Sequence, residues 1–257
     1  LRKISFTGST GVGRHLQGMA ARRILNTSME LGGNAPLIVC DDADMDTAIE
    51  GAFVAKMRNA GESCIAANRL YVHDAIYDEF CDRLVKRFEG LKVGNGLDAD
   101  VDVGSIISRK ELEKLQAIVA EAVEDGATLA TGGKILHEKG FFFAPTVLKN
   151  VEPGARILDH EVFGPIAPLV RFRDVDSVIQ QANDTPYGLA AYVFSGDVGN
   201  AMKIAERLNA GIVGVNRGFV SDPAAPFGGM KESGIGREGA QDGIKEFLET
   251  QYIAMSW

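Results

Sequence analysis

Among the three cysteines of this chain, Cys64 stands in the context most suited to chemistry. It ends the polar, glycine-containing run of residues 59–64, and Arg58 lies just before that run. A loop thiol beside a positive charge is where a thiolate nucleophile can be stabilised, so Cys64 is a candidate nucleophile. Cys40 and Cys81 fall in apolar strand and helix patterns and are predicted to be core residues. A purely structural role is the alternative for Cys64 as well.

Glu30 is the carboxylate that the sequence places best to serve as a base. It lies near the end of a predicted strand, residues 25–31, and before Gly32 and Gly33, which permit close backbone approach. A thiol and a carboxylate are the two groups needed to form a thioester and then hydrolyse it. A surface glutamate without chemistry is the alternative. Neither a metal site nor a Cys–His pair is expected, because the histidines show no suitable spacing: His15, His73, His137 and His160.

A glycine-rich turn near the start of the chain could hold a phosphate. Residues 8–13 read Gly-Ser-Thr-Gly-Val-Gly, after a predicted strand at 3–7 and at the start of a predicted helix at 11–23. Glycines there would let the backbone approach a pyrophosphate at the helix N-terminus. The spacing differs from the usual dinucleotide fingerprint, so a plain strand–helix turn explains the run equally well.

The elements that would hold these residues alternate between extended and helical patterns. Predicted strands cover residues 3–7, 25–31, 37–40, 70–72, 128–129, 141–148, 166–172, 190–194 and 211–216. Predicted helices cover residues 11–23, 75–91, 175–183, 200–208 and 241–247, and two more begin after the N-caps Asp44 and Ser108. This alternation predicts an α/β fold with a largely parallel sheet flanked by helices.

Two C-terminal stretches have distinct compositions. Residues 217–236 are rich in Gly, Pro and small polar residues, which indicates a long functional loop or tether. Residues 249–257 are predicted to form a final strand that lacks a nearby partner and pairs with another subunit.

The composition excludes several classes of protein. The 257 residues are 46% hydrophobic and 24% charged, which is unlike collagen-like or disordered chains. A net charge of −8 without a long basic run argues against nucleic acid or an anionic membrane surface as a partner. Three cysteines are too few for a disulfide framework, which favours a reducing, cytoplasmic location. Because residue 1 is Leu and the opening reads like a strand already in progress, we expect a chain cut from something longer.

Five motifs, in order, resemble the aldehyde dehydrogenase superfamily. They are Phe-Thr-Gly-Ser-Thr-Gly-Val-Gly at 6–13, Met-Glu-Leu-Gly-Gly-Asn at 29–34, Gly-Glu-Ser-Cys at 61–64, Glu-Val-Phe-Gly-Pro at 161–165 and Pro-Phe-Gly-Gly-Met-Lys at 226–231. The likeness covers only the C-terminal half of such an enzyme. It implies the end of a Rossmann-like cofactor domain at 1–32, a catalytic domain at 33–232, and a helix with an oligomerisation strand at 233–257. A chain of this extent is expected to be inactive alone.

The resemblance also implies a role for each motif. Cys64 would attack the aldehyde carbonyl, its backbone N–H would face the oxyanion, and Glu30 would activate the water that hydrolyses the thioester. Residues implied to bind NAD or NADP are Gly8, Ser9 and Gly13 at the pyrophosphate, Leu31 and Phe163 at the nicotinamide, and Glu161 at its ribose. Taken alone, the Glu161 motif reads equally as a turn with a core Phe.

Further details resemble the succinate-semialdehyde dehydrogenase branch. Arg58 and Ser221 would hold the distal carboxylate of the substrate, and Phe227 would line its tunnel. A guanidinium binds a carboxylate through paired, charge-assisted hydrogen bonds, which would select ω-carboxylated aldehydes. The alternatives are a solvated cation at a helix end for Arg58 and simple packing for Phe227.

Two positions depart from the family's pattern. Ala66 stands where some members carry a second cysteine, so no local disulfide switch is expected. Glu62 replaces a glutamine that is often found there, a change that is not expected to abolish chemistry.

The function predicted is oxidation of succinate semialdehyde to succinate with NAD or NADP, by a cytoplasmic homodimer or homotetramer. The choice between NAD and NADP is left open. The alternatives are a dehydrogenase for another aldehyde such as glutarate semialdehyde, a non-catalytic assembly module, and a thiol esterase that uses Cys64 and Glu30 without a cofactor.

Overall fold

The structure is a computed structural model that describes residues 1–137 and 139–257. Its strands are β1 Lys3–Thr7, β2 Asn26–Glu30, β3 Ala35–Val39, β4 Ala67–His73, β5 Thr128–Thr131, β6 Ile135–Leu136, β7 Phe142–Phe143, β8 Thr146–Lys149, β9 Ile166–Phe172, β10 Ala190–Phe194, β11 Ile212–Val215 and β12 Gly234–Ile235. Its α-helices are α1 Thr10–Ala21, α2 Met45–Met57, α3 Tyr77–Glu89, α4 Arg109–Glu124, α5 Val175–Asn183, α6 Val198–Ala205 and α7 Ala240–Lys245.

A seven-stranded sheet forms the centre of the larger part of the molecule. Its order is β11-β10-β3-β4-β9-β8-β5, and every pair is parallel except β5 with β8. Helices α2 and α3 pack on one face, and α4, α5 and α6 pack on the other. Because both faces are covered, the central strands read as continuous apolar runs rather than alternating ones. The predicted α/β fold with a largely parallel sheet is confirmed.

A second, smaller sheet contains β1, β2 and β12. Strands β1 and β2 are parallel and joined through α1, and they pair Thr7 with Glu30. Strand β12 pairs antiparallel with β2, opposite Glu30 and Met29. The C-terminal loop is thereby fixed beside the end of β2, where the candidate base lies.

Two predicted strands differ from the observed ones. The predicted strand 141–148 is split into β7 and β8, with Pro145 between them, because proline has no N–H to give to a ladder. Residues 249–257 have no regular secondary structure within this chain, so their predicted pairing with another subunit stays a prediction. A strand needs a neighbouring edge for its backbone groups, and no edge of this chain pairs with the described residues 249–257.

In the described part of the chain, no helix combines the length and the apolar character that crossing a membrane would require.

Candidate active site

A cleft of about 560 Å³ opens where the carboxyl end of β2 meets the loop before β4. Most of the residues predicted for catalysis and cofactor binding line it, although they are distant in sequence. They are Cys64, Glu30, Gly8, Ser9, Leu31, Glu161 and Phe163. The cleft therefore brings the candidate nucleophile, base and cofactor residues into one site.

Glu30 is the last residue of β2 and is only 5% exposed. Its carbonyl oxygen accepts a hydrogen bond from Gly8 N at 3.0 Å, which fixes the strand end beside the glycine turn. Burial, together with the negative charges of Glu238 and Glu161, raises the pKa of its carboxyl group to about 7. Within the described residues its Oε1 has no hydrogen-bond partner. Glu30 can therefore accept a proton near neutral pH.

Cys64 lies half-buried in the same cleft, beside the carboxylate of Glu30. Burial raises the pKa of the thiol to about 12, and the negative charge of Glu30 acts in the same direction. The expectation that Arg58 would stabilise a thiolate is wrong, because the charges that face the sulfur are the carboxylates of Glu30 and Glu161. The resting thiol is neutral, and a base must remove its proton before it attacks.

The backbone between α2 and Cys64 turns sharply to present the thiol. Asn59, Ala60 and Gly61 are consecutive left-handed residues, with φ of 53°, 55° and 76°. A side chain at Gly61 would overlap the carbonyl of Gly164. Glu62, the departure from the family's pattern, accepts a hydrogen bond from Ile107 N at 2.9 Å through its Oε1. Its carboxylate thereby fastens the cysteine loop to the chain just before α4.

The glycine pair after Glu30 is required by close contacts on both sides. Gly33 N donates to Glu161 Oε1 at 2.9 Å, and a Cβ at Gly32 would lie 2.7 Å from Glu161 Oε2. A Cβ at Gly33 would overlap the carbonyl oxygen of Cys64. Side chains here would displace Glu161 or the cysteine loop.

The residues that line the cleft have the chemical groups needed to bind a nicotinamide dinucleotide. Gly8 and Ser9 line the cleft just before α1 begins, and the N-terminus of a helix favours an anion such as a pyrophosphate. Glu161 offers a carboxylate for ribose hydroxyls, and Leu31 and Phe163 offer apolar surface for a ring.

Gly13, predicted to lie near the pyrophosphate, does not line this cleft. It is buried against Leu31, whose side chain a Cβ at Gly13 would overlap, and it lines a neighbouring crevice. Its contact with the cofactor stays a prediction, and its observed role is to let α1 pack closely on Leu31.

The residues predicted to bind the substrate lie away from the cleft walls. Arg58 is exposed, lines a second cleft of about 400 Å³, and stacks over the ring of Phe219 at 4.5 Å. Among the described residues it forms no ion pair. Ser221 is half-buried two residues after Phe219. Phe227 packs half-buried against the same hydrophobic core as Cys64.

Two further residues lie close to this site without lining the cleft, and both were missed from the sequence. Glu238 Oε1 accepts a hydrogen bond from Thr7 Oγ1 at 3.3 Å, and its charge acts on Glu30. Lys56 is completely buried beneath the cysteine loop. Burial of Lys56 could have been predicted from the sequence, because it is the one charged residue in the apolar run 53–57. Nothing in the sequence places Glu238 beside Glu30.

Comparison with known proteins gives a consistent result. Residues 1–253 match the aldehyde dehydrogenase family. The succinate-semialdehyde dehydrogenase [NADP(+)] of Escherichia coli K12 is 49% identical over 255 residues, which are 99% of this chain and 53% of that protein. The glutarate-semialdehyde dehydrogenase of Pseudomonas aeruginosa is 47% identical over 255 residues, again 99% and 53% of the two chains.

The fold is also similar to that of solved structures. The crystal structure of an Escherichia coli NADP-dependent enzyme matches with a TM-score of 0.95 and 49% identity, and the match covers 97% of this chain and 52% of that one. The chain thus spans about half the length of the relatives that it matches.

Proposed function

Since the chain belongs to the aldehyde dehydrogenase family, we propose that it supplies the catalytic residues for NAD(P)-dependent oxidation of succinate semialdehyde to succinate. The observation that carries the proposal is that Cys64 and Glu30 lie beside each other in the cleft that the predicted cofactor residues also line. A thiol alone would support many functions. One cleft holds a thiol, a carboxylate whose pKa is near neutral, and residues suited to bind a dinucleotide. Together they favour a dehydrogenase.

Each chemical step has a residue that performs it. Glu30 takes the thiol proton as Cys64 Sγ attacks the carbonyl carbon, and the Cys64 backbone N–H stabilises the oxyanion of the thiohemiacetal. When bound, the oxidised nicotinamide would accept the hydride that converts the thiohemiacetal into a thioester. Glu30 releases the first proton to solvent and then takes a proton from water, whose oxygen attacks the thioester. It passes this second proton to the departing thiolate, so that the carboxylic acid and the thiol are released.

Substrate choice is proposed to depend on Arg58, together with Ser221 and Phe227 of the loop after β11. The ring of Phe219 covers one face of the Arg58 guanidinium, and no residue that the structure describes accepts a hydrogen bond from its N–H groups. That edge can form paired hydrogen bonds with the distal carboxylate of the substrate. Glutarate semialdehyde, one methylene longer, is the second candidate, because a relative at 47% identity is named for it.

The test compares aldehydes that differ only in the carboxylate. We would assay NAD(P)H formation from succinate semialdehyde, glutarate semialdehyde and butanal. The enzyme would be the protein as its gene encodes it, and also a chimera with the N-terminal half of the Escherichia coli relative before Leu1. Arg58→Met should lower kcat/KM for succinate semialdehyde about a hundredfold, because it removes two charge-assisted hydrogen bonds, and should spare butanal. Arg207→Met, on the distant α6–β11 connection, is the matched control.

Other outcomes identify the rival functions. Equal losses for both aldehydes on Arg58→Met would reject carboxylate recognition by that residue. Ester hydrolysis without any nucleotide-dependent oxidation would favour the esterase, and neither activity would favour an assembly module. Loss of turnover in Cys64→Ser and Glu30→Gln, with the fold retained, is expected if the mechanism is correct.

We also propose a cytoplasmic homo-oligomer. Cys40, Cys64 and Cys81 are all free thiols, and a catalytic thiol survives best in a reducing compartment. The exposed apolar residues of the last segment, including Tyr252 and Trp257, support a contact between subunits.

A further inference from the structure

Helix α2 carries a lysine with no access to solvent. Lys56 is 0% exposed, and its Nζ donates to Asn68 Oδ1 at 2.7 Å and to Val162 O at 3.1 Å. Both acceptors are neutral, and within residues 1–137 and 139–257 the ammonium forms no ion pair. Burying a cation in this way is costly, so the role of Lys56 depends on what its ammonium holds in place.

The ammonium joins three segments that meet behind the cleft. Asn68 is on β4, Lys56 is near the end of α2, and Val162 lies between the two cleft-lining residues Glu161 and Phe163. Val162 is itself 0% exposed, so its side chain is fixed in the core while its neighbours line the cleft. A bond to the Val162 carbonyl therefore fixes the backbone from which both neighbouring side chains project.

The same segment is coupled to the nucleophile. Glu161 Oε1 accepts from Gly33 N at 2.9 Å, and Gly33 in turn lies directly against the carbonyl of Cys64. A shift of the 161–163 backbone would reach the cysteine loop through these contacts.

We propose that Lys56 is a positioning residue whose buried ammonium sets Glu161 and Phe163 to receive the nicotinamide riboside. The inference rests on the proposed function, because the roles of Glu161 and Phe163 at the cofactor belong to that proposal. Lys56 itself lies behind the wall of the cleft and would act through Val162.

The charge of Lys56 adds an electrostatic effect. Burial raises the pKa of Glu161, whereas the charges of Lys114 and Lys56 lower it. Other titratable groups that face Glu161 are Glu111 on α4, Glu30 on β2, Cys64 and Tyr187. Burial also lowers the pKa of Lys56 to about 7. Loss of the ammonium should therefore raise the pKa of Glu161 and make its ionisation more sensitive to mild acid.

The test measures nucleotide binding in Lys56→Met, whose side chain has a similar length but no charge and no donor. We would titrate the enzyme forms described above with NADP+ and NAD+ by calorimetry, and use Lys110→Met on the exposed side of α4 as the control. Lys56→Met should weaken nucleotide binding about tenfold, because a hydrogen bond from a charged group is lost, and should leave KM for the aldehyde within about twofold. The weakening should grow from about pH 8 to about pH 6, because the wild-type Lys56 gains its charge through about pH 7 and then favours ionised Glu161, which methionine cannot do.

The outcomes separate this inference from the proposed function. If the wild-type protein binds neither nucleotide, the proposed function fails. If it binds and Lys56→Met binds equally well with the same pH profile, the role of Lys56 is overturned while the proposed function stands. A lower thermal stability with unchanged nucleotide affinity would also overturn it. Should Lys56→Met not fold, Lys56→Gln keeps an N–H donor and must still show the steeper pH dependence of binding.

Discussion

At the scale of single residues, Cys64 and Glu30 each determine the charge state of the other. The negative carboxylate disfavours a thiolate beside it, and burial favours the neutral form of both groups. Groups coupled in this way titrate as a pair, and in the proposed mechanism the proton passes between them as a carbonyl approaches. A protonated resting nucleophile is also protected against oxidation, because the thiolate is the reactive form.

The dependence of turnover on pH should report Glu30. A base must be ionised to accept a proton, and burial raises the pKa of Glu30 to about 7. Turnover should therefore rise as the pH increases through about 7, and Glu30→Gln should remove this rise along with most of the activity. The measurement is kcat against pH, with Glu152→Gln on an exposed loop as the control. A profile that is flat across this range would contradict the assignment of Glu30 as the base.

Cys64 should become more reactive towards alkylation when Glu30 is neutralised. Glu30→Gln removes a negative charge that raises the thiol pKa, so the fraction of thiolate at a given pH should increase. The rate of iodoacetamide labelling, measured on this chain without nucleotide, should then increase about tenfold for each unit by which the pKa falls. Slower labelling in Glu30→Gln would show that the carboxylate speeds the reaction by removing the thiol proton, as in the proposed attack on the aldehyde, more than its charge slows it.

Glu238 should tune Glu30 from the C-terminal loop. Its negative charge raises the pKa of Glu30, so Glu238→Gln should move the rise in turnover to lower pH. Glu249→Gln, another exposed carboxylate of the C-terminal region, is the matched control. An unchanged midpoint in Glu238→Gln would show that solvent screens this charge.

At the scale of elements, local signals in the sequence account for most of the architecture. Asp44 and Ser108 accept from the backbone N–H groups of Thr47 and Glu111, as their prediction as N-caps requires. The end of the chain could not be predicted in the same way, because a strand depends on a partner edge that local sequence does not specify. Lys56 was missed for a related reason: burial of a single lysine depends on Asn68 and Val162, which only the fold brings to it.

The turn after β2 should not tolerate a methyl group. A Cβ at Gly33 would overlap the carbonyl oxygen of Cys64, so the cysteine loop must shift away from Glu30. Gly33→Ala should lower the free energy of unfolding by about 1–3 kcal/mol and remove most of the turnover. Denaturant unfolding and a rate assay would measure both effects.

Gly18 provides the control for that substitution. It lies in α1, and a Cβ added there would meet no neighbouring atom within 4 Å, so Gly18→Ala should raise stability by about 0.5–1 kcal/mol through helix propensity. Equal behaviour of the two variants would show that the turn after β2 is not tightly packed.

At the scale of the whole molecule, the candidate active site lies between two sheets. The small sheet supplies Glu30 and the glycine turn, and the large sheet carries the loop with Cys64. Strand β12 pairs with β2 and so brings the chain that follows it, including Glu238, to the base. The predicted domain boundaries at 1–32, 33–232 and 233–257 fall close to this division and stay a prediction.

The apolar end of the chain should bind a second copy of the protein. Phe247, Leu248, Tyr252, Ile253, Met255 and Trp257 are each at least 60% exposed. Excluding water from a contiguous stretch of large apolar side chains stabilises the contact by about 25 cal/mol for each Å² that is buried. Size-exclusion chromatography with light scattering should therefore give the mass of a dimer or tetramer. The double substitution Tyr252→Lys with Trp257→Lys should shift it to the monomer, whereas Val198→Lys on the exposed start of α6 should not. If the wild-type protein is a monomer at every concentration, the prediction of an oligomer is wrong. If the double variant remains an oligomer, the contact between subunits lies elsewhere on the protein.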